Sequence, residues 1–331
     1  MNMWNSSMVE WIDIEVTSYC PLKCPGCLRQ QLGHYIEPHL NKKKLDLDLL
    51  KQRINKEDLP NLKTINFCGS IDEPMTHPQI EEIAEWVTSN GWFLNINTSG
   101  SVRMPKFWSK FGSFLGSHSH SVLFGIDGLR DTSERYRIGS DWKLVRNNFR
   151  AFISSGGTAV WQFIVFEWNQ EEMEDAKRIS TQEGFSGFRV IWSHRDKSGE
   201  VRKRGDALQQ DTLSGLPTKS SESILRMDPL SCRYLQAKRL FLNHQGILLP
   251  CCHFHSDILK TIWGKWDHDT DLTLLWQSEG GEAVNIHNNS IPQILDGGFF
   301  SGITESWEDN PLTRCVNTCM SKNYDRLEDH K

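Results

Sequence analysis

Three cysteines follow the first predicted strand so closely that they limit what this part of the chain can form. In the segment TSYCPLKCPGCLR they have the spacing C-x3-C-x2-C and are Cys20, Cys24 and Cys27. Three thiolates in one short loop can bind a 4Fe-4S cube and leave one iron without a protein ligand. The open position then admits a small molecule. A structural zinc site is the alternative, but it needs a fourth ligand, for which His34 is the nearest candidate.

The complete set of cysteines indicates a reducing compartment. The chain has nine cysteines, an odd number for a disulfide framework, and clustered cysteines in the cytosol indicate metal binding or catalysis. The amino-terminal residues lack the basic and apolar regions of a signal peptide, and no stretch approaches the roughly 18 apolar residues of a membrane span. We therefore expect a soluble, cytoplasmic protein without a membrane partner.

Length and charge limit the class of protein further. With 331 residues the chain is long enough for one large α/β domain and a smaller second one. Its formal net charge of -5 and isoelectric point near 6.2 provide no general attraction to phosphate backbones. A partner held by bulk electrostatics, as in basic nucleic-acid-binding proteins, is therefore not expected.

Six short segments rich in β-branched and aromatic residues alternate with stretches of helical periodicity. This order is typical of βαβ units, so we predict an α/β fold, a partial (β/α)6 barrel of the TIM type, over residues 1–205. The predicted strands are IDIEV (12–16), TINFC (64–68), FLNIN (93–97), VLFGI (122–126), WQFIVF (161–166) and FRVIW (188–192). Two helical faces between them are formed by Ile80, Ile83, Ala84 and Val87, and by Trp142, Val145, Phe149 and Phe152.

The rest of the chain divides into a linker and a smaller domain. Residues 206–227 are rich in Ser, Gly, Thr and charged side chains, which predicts a linker or exposed loop. We predict a cysteine-rich iron-sulfur module over residues 228–331. Within it, LFLNHQGILLPCC (240–252) predicts two short strands around a Gln-Gly turn. The remainder shows little periodicity, so we expect a bound metal rather than a large core to stabilise it.

Polar motifs follow the second, third and fourth predicted strands. They are CGSIDEP (68–74), NTSG (97–100) and GIDG (125–128), and ERYR (134–137) lies further along the chain. In barrels of β/α units the functional groups lie on loops that leave the carboxyl ends of the strands. Each motif alone is also compatible with an ordinary turn. Their occurrence in series predicts one site built from several strand ends.

Together these motifs resemble the radical S-adenosylmethionine superfamily, in which a C-x3-C-x2-C loop follows the first strand of a partial barrel. The resemblance implies a 4Fe-4S cluster whose open iron binds S-adenosylmethionine, and a 5′-deoxyadenosyl radical that takes a hydrogen atom from the substrate. One departure is Gly26, since the residue at this position is often aromatic in the family and stacks on the adenine. The implied cofactor-binding residues are Gly69, Asp72, Glu73, Ser99, Asp127 and Arg137, and Asp127 is also the candidate catalytic residue.

A second group of cysteines lies in the last third of the chain. Its order, Cys232, then Gly246-x4-Cys251, then Cys315-x3-Cys319, resembles the auxiliary-cluster module called SPASM or, in its shortened form, twitch. Five cysteines follow residue 228, fewer than a full SPASM domain requires. The resemblance therefore implies one auxiliary 4Fe-4S cluster with the ligands Cys232, Cys251, Cys315 and Cys319.

Other residues near this module leave alternatives open. Cys252 is the alternative to Cys251, because strand alternation lets only one of two neighbours face the cluster. A zinc site is the alternative for the whole module, since His253 and His255 stand beside the cysteine pair. Cys68, at the end of a predicted strand, is interpreted as a core residue and not as a ligand.

The substrate is suggested by a narrower resemblance. The stretches FGIDGLRDTSERYR and WQFIVFEWNQ resemble radical enzymes carried by tailed bacteriophages. That resemblance implies isomerisation of an amino-acyl (glycyl) group on modified thymidine in phage DNA, which takes place in the host cytoplasm. It also implies an electron donor such as flavodoxin or ferredoxin as a partner.

Two further hypotheses compete with this substrate. The first is radical modification of a ribosomal peptide or a small molecule. Peptide modification favours an amino-terminal winged-helix recognition domain, which we do not expect because eleven residues precede the first predicted strand. The second is a non-catalytic iron-sulfur or zinc protein that binds a partner.

Overall fold

The computed structural model describes most of the chain. The described residues are 3–30, 40, 43–116, 120–166, 168–192, 232–264 and 270–320. The predicted linker over residues 206–227 and the candidate fourth ligand His34 lie outside them. None of the helices in these ranges is long and apolar enough to cross a membrane.

The chain forms two compact units that do not follow its linear order. The first, here called the parallel-sheet unit, comprises residues 15–44 and 64–204. The second, called the discontinuous unit, comprises residues 1–14, 45–63 and 205–331. The predicted division into domains at residues 205 and 228 stays a prediction.

The predicted strands are all present within a few residues of their expected ends. The strands are β1 (Trp11–Ile14), β2 (Thr64–Phe67), β3 (Phe93–Thr98), β4 (Ser121–Gly125), β5 (Thr158–Val165), β6 (Gly187–Trp192), β7 (Arg239–Leu242) and β8 (Leu248–Leu249). The α-helices are α1 (Leu47–Arg53), α2 (Ile80–Ser89), α3 (Pro105–Gly116), α4 (Ser133–Tyr136), α5 (Trp142–Ser154), α6 (Met173–Gln182), α7 (Arg233–Gln236), α8 (His255–Ile262), α9 (Thr270–Glu279), α10 (Ile291–Leu295), α11 (Gly298–Asp309) and α12 (Thr313–Cys315). A π-helix, Val316–Met320, follows α12.

The strands of the parallel-sheet unit have the order β6-β5-β4-β3-β2, and all neighbouring pairs are parallel. This arrangement confirms the predicted α/β class. Because successive side chains point to opposite faces, one face is apolar and includes the buried Phe67 and Phe124. The other face is polar: Oδ1 of Asn66 accepts hydrogen bonds from Nδ2 of Asn95 (2.9 Å) and Nδ2 of Asn97 (3.0 Å).

Amphipathic helices pack on the apolar face of this sheet. α5 begins after Asp141, whose carboxylate accepts hydrogen bonds from two backbone N–H groups of the first turn, at 2.8 and 3.2 Å. The predicted apolar face of α5 presents Phe149 and Phe152 to Phe124 of β4, at ring-centroid distances of 6.3 and 5.8 Å. α2 buries its own predicted face and ends before Gly91, which has a φ of +75°.

In the discontinuous unit, β1 pairs with a strand from far along the chain. β1 and β7 are parallel, and Trp11 lies opposite Arg239, 228 positions later. β7 then pairs antiparallel with β8, with Leu242 opposite Leu248. The turn between them contains Gly246 with a φ of +84°, in the left-handed region that favours glycine. The predicted pair of short strands around a Gln-Gly turn is confirmed.

The carboxyl-terminal part of this unit has an apolar core, so the expectation that a metal must replace one is wrong. α11 has the sequence GFFSGITESWED and buries Phe299, Phe300, Ile303 and Trp307 along one helical stripe. Trp276 of α9 packs edge-to-face on Phe299, at 5.8 Å between ring centroids. The stripe is hard to recognise in the sequence because its glycines lower the helix propensity of the segment.

Candidate functional site

The cysteine loop lies in the parallel-sheet unit, and its two ends are joined. Its three cysteines are half-buried, and the N–H of Cys27 donates to the carbonyl of Cys24 at 3.0 Å. Before the loop, Ser18 exchanges hydrogen bonds with the backbone of Lys43, at 2.8 and 2.9 Å. After it, the buried guanidinium of Arg29 donates to the carbonyl of Ser18. The loop is therefore a closed structural element that keeps the three cysteines together.

Burial disfavours the thiolate form of cysteines in this loop. It raises the pKa of Cys20, and the carboxylate of Glu73 raises that pKa further. Burial also raises the pKa of Cys24 to about 11, although the positive charge of Arg137 acts in the opposite direction. A metal ion that replaces the thiol protons offsets this penalty, so metal binding here releases protons.

Glu73 is buried, and the end of β3 holds its carboxylate. Oε1 accepts a hydrogen bond from Oγ1 of Thr98 at 2.6 Å, and Oε2 accepts two from the backbone N–H and Oγ of Ser99, at 2.8 and 2.5 Å. The N–H of Glu73 donates to the carbonyl of Tyr19, directly before Cys20, at 2.9 Å. The structure thus brings the predicted residues Glu73 and Ser99 together and attaches them to the cysteine loop.

Asp72 is also buried, and one of its oxygens has no hydrogen-bond partner among the described residues. Oδ2 accepts a bond from the N–H of Thr17 at 3.4 Å, whereas Oδ1 finds no donor. Burial raises the pKa of Asp72, and the carboxylates of Glu15 and Glu73 raise it further. A cation beside this group would stabilise its charged form. Gly69 has a φ of +60°, in the left-handed region that favours glycine, and a Cβ atom there would lie a tight 3.1 Å from a carbonyl of β3.

Asp127 and Arg137 form a buried ion pair at the end of β4. Oδ2 of Asp127 lies 2.8 Å from Nε of Arg137, and Oδ1 accepts a hydrogen bond from the N–H of Ile164 at 2.8 Å. Burial raises the pKa of Asp127, and Arg137 together with the Ile164 N–H opposes this rise. The side chain of Asp127 has no exposed surface, whereas 17% of that of Arg137 is exposed. This geometry supports a positioning role for Asp127, and its predicted catalytic role stays a prediction.

The loop that carries Arg137 is fastened to the cysteine loop. The N–H of Lys23 donates to the carbonyl of Ile138 at 2.9 Å, and the charge of Arg137 acts on Cys24. Glu73 reaches the same loop through Tyr19. Glu73 and Arg137, an acidic and a basic residue from different strand ends, therefore both lie beside the cysteine loop.

The ion pair depends on Gly125, the last residue of β4. A Cβ atom there would lie 2.4 Å from Nη2 of Arg137. We expect Gly125→Ala to displace the guanidinium from Asp127 and to lower the free energy of unfolding by about 1–3 kcal/mol, measured by denaturant titration. Gly187→Ala is the matched control, since a Cβ there would meet Val160 at an ordinary 3.7 Å and should cost less than about 0.5 kcal/mol. Equal losses in the two variants would contradict the explanation.

Five cysteines of the discontinuous unit lie close enough for their sulfurs to affect one another's pKa. Burial raises the pKa of Cys251, and the sulfurs of Cys252, Cys232 and Cys315 raise it further. Burial also raises the pKa of Cys232 to about 11 and that of Cys315, and the sulfur of Cys319 adds to both. The four predicted ligands therefore lie near one another, and their role as metal ligands stays a prediction.

Cys252 interacts with a different partner. Burial raises the pKa of Tyr234, and the sulfur of Cys252 raises it further. The hydroxyl of Tyr234 donates to Oδ2 of Asp13 at 2.8 Å. Arg239 donates to both oxygens of Asp13, at 2.9 Å each. Because the sulfur of Cys252 also acts on Cys251, the choice between these two cysteines as a ligand stays a prediction.

Two carboxylates fasten the segment that carries Cys315 and Cys319. Oδ2 of Asp271 accepts hydrogen bonds from the N–H and Oγ1 of Thr313, at 2.9 Å each, where α12 begins. Oδ2 of Asp257, a buried residue of α8, lies 2.6 Å from Nε of Arg314. The segment directly before Cys315 is thus held by α9 through Thr313 and by α8 through the side chain of Arg314.

His253 keeps the zinc alternative open. Burial lowers its pKa to about 4, and the charges of Arg314 and Arg233 lower it further. The imidazole is therefore neutral at pH 7, which is the form that binds metals. Metal analysis distinguishes a zinc site from an iron-sulfur cluster.

Several residues of these sites were not found by sequence analysis. Thr98 lies inside the quoted NTSG motif, so its polar character at a strand end was a usable signal. The sequence contains no signal for the pair of Asp257 and Arg314, because 57 positions separate the two residues and no local pattern connects them.

Sequence comparison finds limited similarity. No family model matches the chain. The tungsten-containing aldehyde ferredoxin oxidoreductase cofactor-modifying protein of Pyrococcus furiosus is 34% identical over 119 residues. This match covers 35% of the chain and 32% of that protein, so it spans about a third of the curated relative.

Comparison of structures covers most of the chain. Streptococcus suis SuiB bound to S-adenosylmethionine has a TM-score of 0.57 at 12% identity, over 94% of this chain and 68% of SuiB. The histidine-tagged form of anSMEcpe with bound AdoMet has a TM-score of 0.58 at 14% identity, over 89% of this chain and 79% of the other. Identities this low establish a shared fold and no more. The shared fold confirms the predicted partial barrel.

Proposed function

We propose that this chain, which has the fold of the radical S-adenosylmethionine enzymes, is an enzyme of that kind. In the proposal Cys20, Cys24 and Cys27 hold a 4Fe-4S cluster. When bound, the cluster would supply one electron, taken up from an external donor such as flavodoxin or ferredoxin, for cleavage of S-adenosylmethionine to methionine and a 5′-deoxyadenosyl radical; that radical would take a hydrogen atom from the substrate. The observation that carries the proposal is the attachment of both Glu73 and the Arg137 loop to the cysteine loop.

The polar groups around the loop suit the charges of S-adenosylmethionine. The buried Oδ1 of Asp72, which lacks a donor in the described part of the chain, and the carboxylate of Glu73 suit its ammonium group. Arg137 suits its carboxylate, because a guanidinium has five N–H donors and Asp127 occupies one side of it. Gly26 offers no ring for stacking on the adenine, so the base must be held by other contacts.

We also propose that the discontinuous unit holds one auxiliary 4Fe-4S cluster. Its ligands in this proposal are Cys232, Cys251, Cys315 and Cys319. Support comes from the mutual electrostatic influence of their sulfurs. Backbone N–H groups also act on three of the sulfurs, as they do on thiolate ligands of iron-sulfur clusters.

The substrate decides whether hydrogen abstraction leads to a rearrangement or to an oxidation, and therefore whether the enzyme is an isomerase or an oxidoreductase. A peptide substrate is supported by the likeness in fold to SuiB bound to its precursor peptide SuiA, with a TM-score of 0.56 at 12% identity. A glycyl-modified thymidine in phage DNA is supported by the sequence resemblance of residues 124–137 and 161–170. Flavodoxin or ferredoxin as electron donor and a cytoplasmic location complete the proposal.

Anaerobic reconstitution tests the proposed chemistry. The full chain is loaded with iron and sulfide, and S-adenosylmethionine and dithionite are added. Chromatography should then detect 5′-deoxyadenosine and methionine in equal amounts. Zinc in place of iron, or intact S-adenosylmethionine, would favour a non-catalytic metal protein. Deuterium transfer into 5′-deoxyadenosine from a labelled peptide or a labelled glycyl-thymidine then distinguishes the substrates.

Glu73→Gln should weaken the binding of S-adenosylmethionine to the reconstituted chain. Loss of a hydrogen bond to a charged group costs about 1.5–3 kcal/mol, which corresponds to an increase in Kd of about 10- to 100-fold. Equilibrium dialysis with labelled S-adenosylmethionine measures the change. Glu85→Gln, at an exposed position of α2, is the matched control and should leave Kd unchanged. An unaltered Kd in Glu73→Gln with full iron content would exclude Glu73 from the cofactor site.

A further inference from the structure

A column of planar side chains lies at the carboxyl ends of β4 and β5, where Asp127 and Arg137 form their ion pair. Phe166 and Trp168, which follow β5, have nearly parallel rings, with 5.4 Å between the centroids and an angle of 6° between the planes. The guanidinium of Arg135 lies over the ring of Trp168, 4.9 Å from its centroid. These three groups, here called the stacking column, are within the distances of favourable ring stacking and cation–π contact.

The inner end of the stacking column is fixed to both strand ends. Phe166 is buried, and the ring of Tyr136, the residue before Arg137, lies 4.4 Å from it between centroids. The N–H of Phe166 donates to Oδ1 of the buried Asn169 at 2.7 Å, and Nδ2 of Asn169 donates to the carbonyl of Asp127 at 2.9 Å. The column is therefore held in place before any ligand binds, and it is attached to both partners of the ion pair.

The outer end of the stacking column is accessible and positively charged. Trp168 is half-buried and Arg135 is exposed, whereas Glu73 and Asp127 are buried. Arg130, in the same loop after β4, is exposed as well. Proteins hold unpaired nucleobases by stacking them on aromatic rings and guanidinium planes, and arginines attract the phosphates. The outer end therefore offers a nucleotide both a planar surface and positive charge.

We propose that the stacking column is a binding site for a nucleobase, held by Trp168 and Arg135. The source of that base rests on the proposed function, in which two molecules carry one. The first is S-adenosylmethionine, whose adenine finds no ring at Gly26, and the second is a nucleotide substrate. The exposure of the outer end favours the substrate, because the acidic groups assigned to the cofactor are buried. Trp168 and Arg135 position the base and take no part in bond formation.

Binding of two nucleosides, adenosine and thymidine, to the full chain tests the site without a cluster. Saturation-transfer NMR detects the bound nucleoside, and titration gives its Kd. Trp168→Leu removes the indole but keeps an apolar side chain, and it should raise this Kd about tenfold, as expected for the loss of one base-stacking contact. Trp168→Phe restores a planar ring and should recover most of the loss. An unmodified chain that binds neither nucleoside overturns the proposal.

Trp11→Leu is the matched control, because Trp11 is another half-buried indole with an arginine over its ring, Arg239 at 4.5 Å, in the discontinuous unit. It should leave the Kd of both nucleosides unchanged, and an equal rise in the two tryptophan variants would overturn the proposal. Arg135→Ala changes an exposed side chain, so it decides the matter if Trp168→Leu fails to fold. It should raise the Kd about threefold, the effect of an exposed cation–π contact.

The two nucleosides also distinguish the sources of the base. An effect of Trp168→Leu on thymidine binding supports the site and assigns it to a nucleotide substrate, whereas an effect confined to adenosine supports the site and assigns it to the cofactor. A chain that cleaves S-adenosylmethionine but whose nucleoside binding is unaltered in Trp168→Leu and Arg135→Ala refutes the site alone. A chain that shows the expected nucleoside binding but forms no 5′-deoxyadenosine after reconstitution refutes the proposed function and leaves the site standing.

Discussion

The Cys24→Ala variant, reconstituted without oxygen, should bind about four iron atoms per chain where the unmodified chain binds about eight, and it should form no 5′-deoxyadenosine. The reason is the loss of one of the three thiolates: alanine keeps the backbone carbonyl that accepts the turn-closing bond from Cys27, so the loop is retained without the Cys24 sulfur. Two remaining thiolates cannot hold the cube with a single open iron. Iron analysis and chromatography of the products measure the two effects.

Cys68→Ala provides the matched control for this prediction. Cys68 is also a half-buried cysteine of the parallel-sheet unit, but it follows β2 outside the cysteine loop. The variant should keep its full iron content and cleave S-adenosylmethionine at the rate of the unmodified chain. Full iron content and undiminished cleavage in Cys24→Ala would show that the cluster has other ligands.

The second large effect is expected on stability. Asp127→Asn should lower the free energy of unfolding by about 3–5 kcal/mol, because removing one partner leaves the other charge buried and unpaired. Asparagine keeps an oxygen for the N–H of Ile164, so the change isolates the loss of charge against Arg137. Denaturant titration measures the loss. The double variant Asp127→Leu with Arg137→Leu should lose less than Asp127→Asn, since no unpaired charge remains.

An exposed ion pair of the same unit gives the comparison. Asp175 and Arg178 lie 3.0 Å apart on α6 with 64% and 59% of their side chains exposed. Asp175→Asn should therefore change stability by no more than about 1 kcal/mol. If Asp127→Asn and Asp175→Asn lowered the free energy of unfolding by similar amounts, burial would not strengthen the Asp127–Arg137 ion pair.

The strands and the two main helical faces were predictable because their information is local. Short runs of β-branched and aromatic residues identified β1 to β6, and the spacing of Val145, Phe149 and Phe152 identified α5. The order of the strand-end motifs indicated that they share a site. The stripe of α11 was missed since Gly298 and Gly302 interrupt a short pattern.

Which side chains contact one another was not predictable, because such contacts depend on distances between residues that are far apart in the sequence. Sequence analysis named Asp127 and Arg137 separately, but their ion pair requires the chain to turn back over Gly125. The effect of the Cys252 sulfur on Tyr234 was likewise not predictable, because Tyr234 lies earlier in the chain and on another element. The residues adjacent to each of these positions in the sequence do not reveal which distant residue it contacts.

The pairing of β1 with β7 has a consequence for synthesis on the ribosome. Trp11 emerges early, but its partner Arg239 is made 228 residues later. At translation rates of 5–20 residues per second, β1 waits on the order of 10 to 45 s for that neighbour. During this interval the nascent chain exposes an unpaired strand edge, the kind of surface that chaperones cover. Premature release of the polypeptide before β7 is complete should therefore yield aggregates.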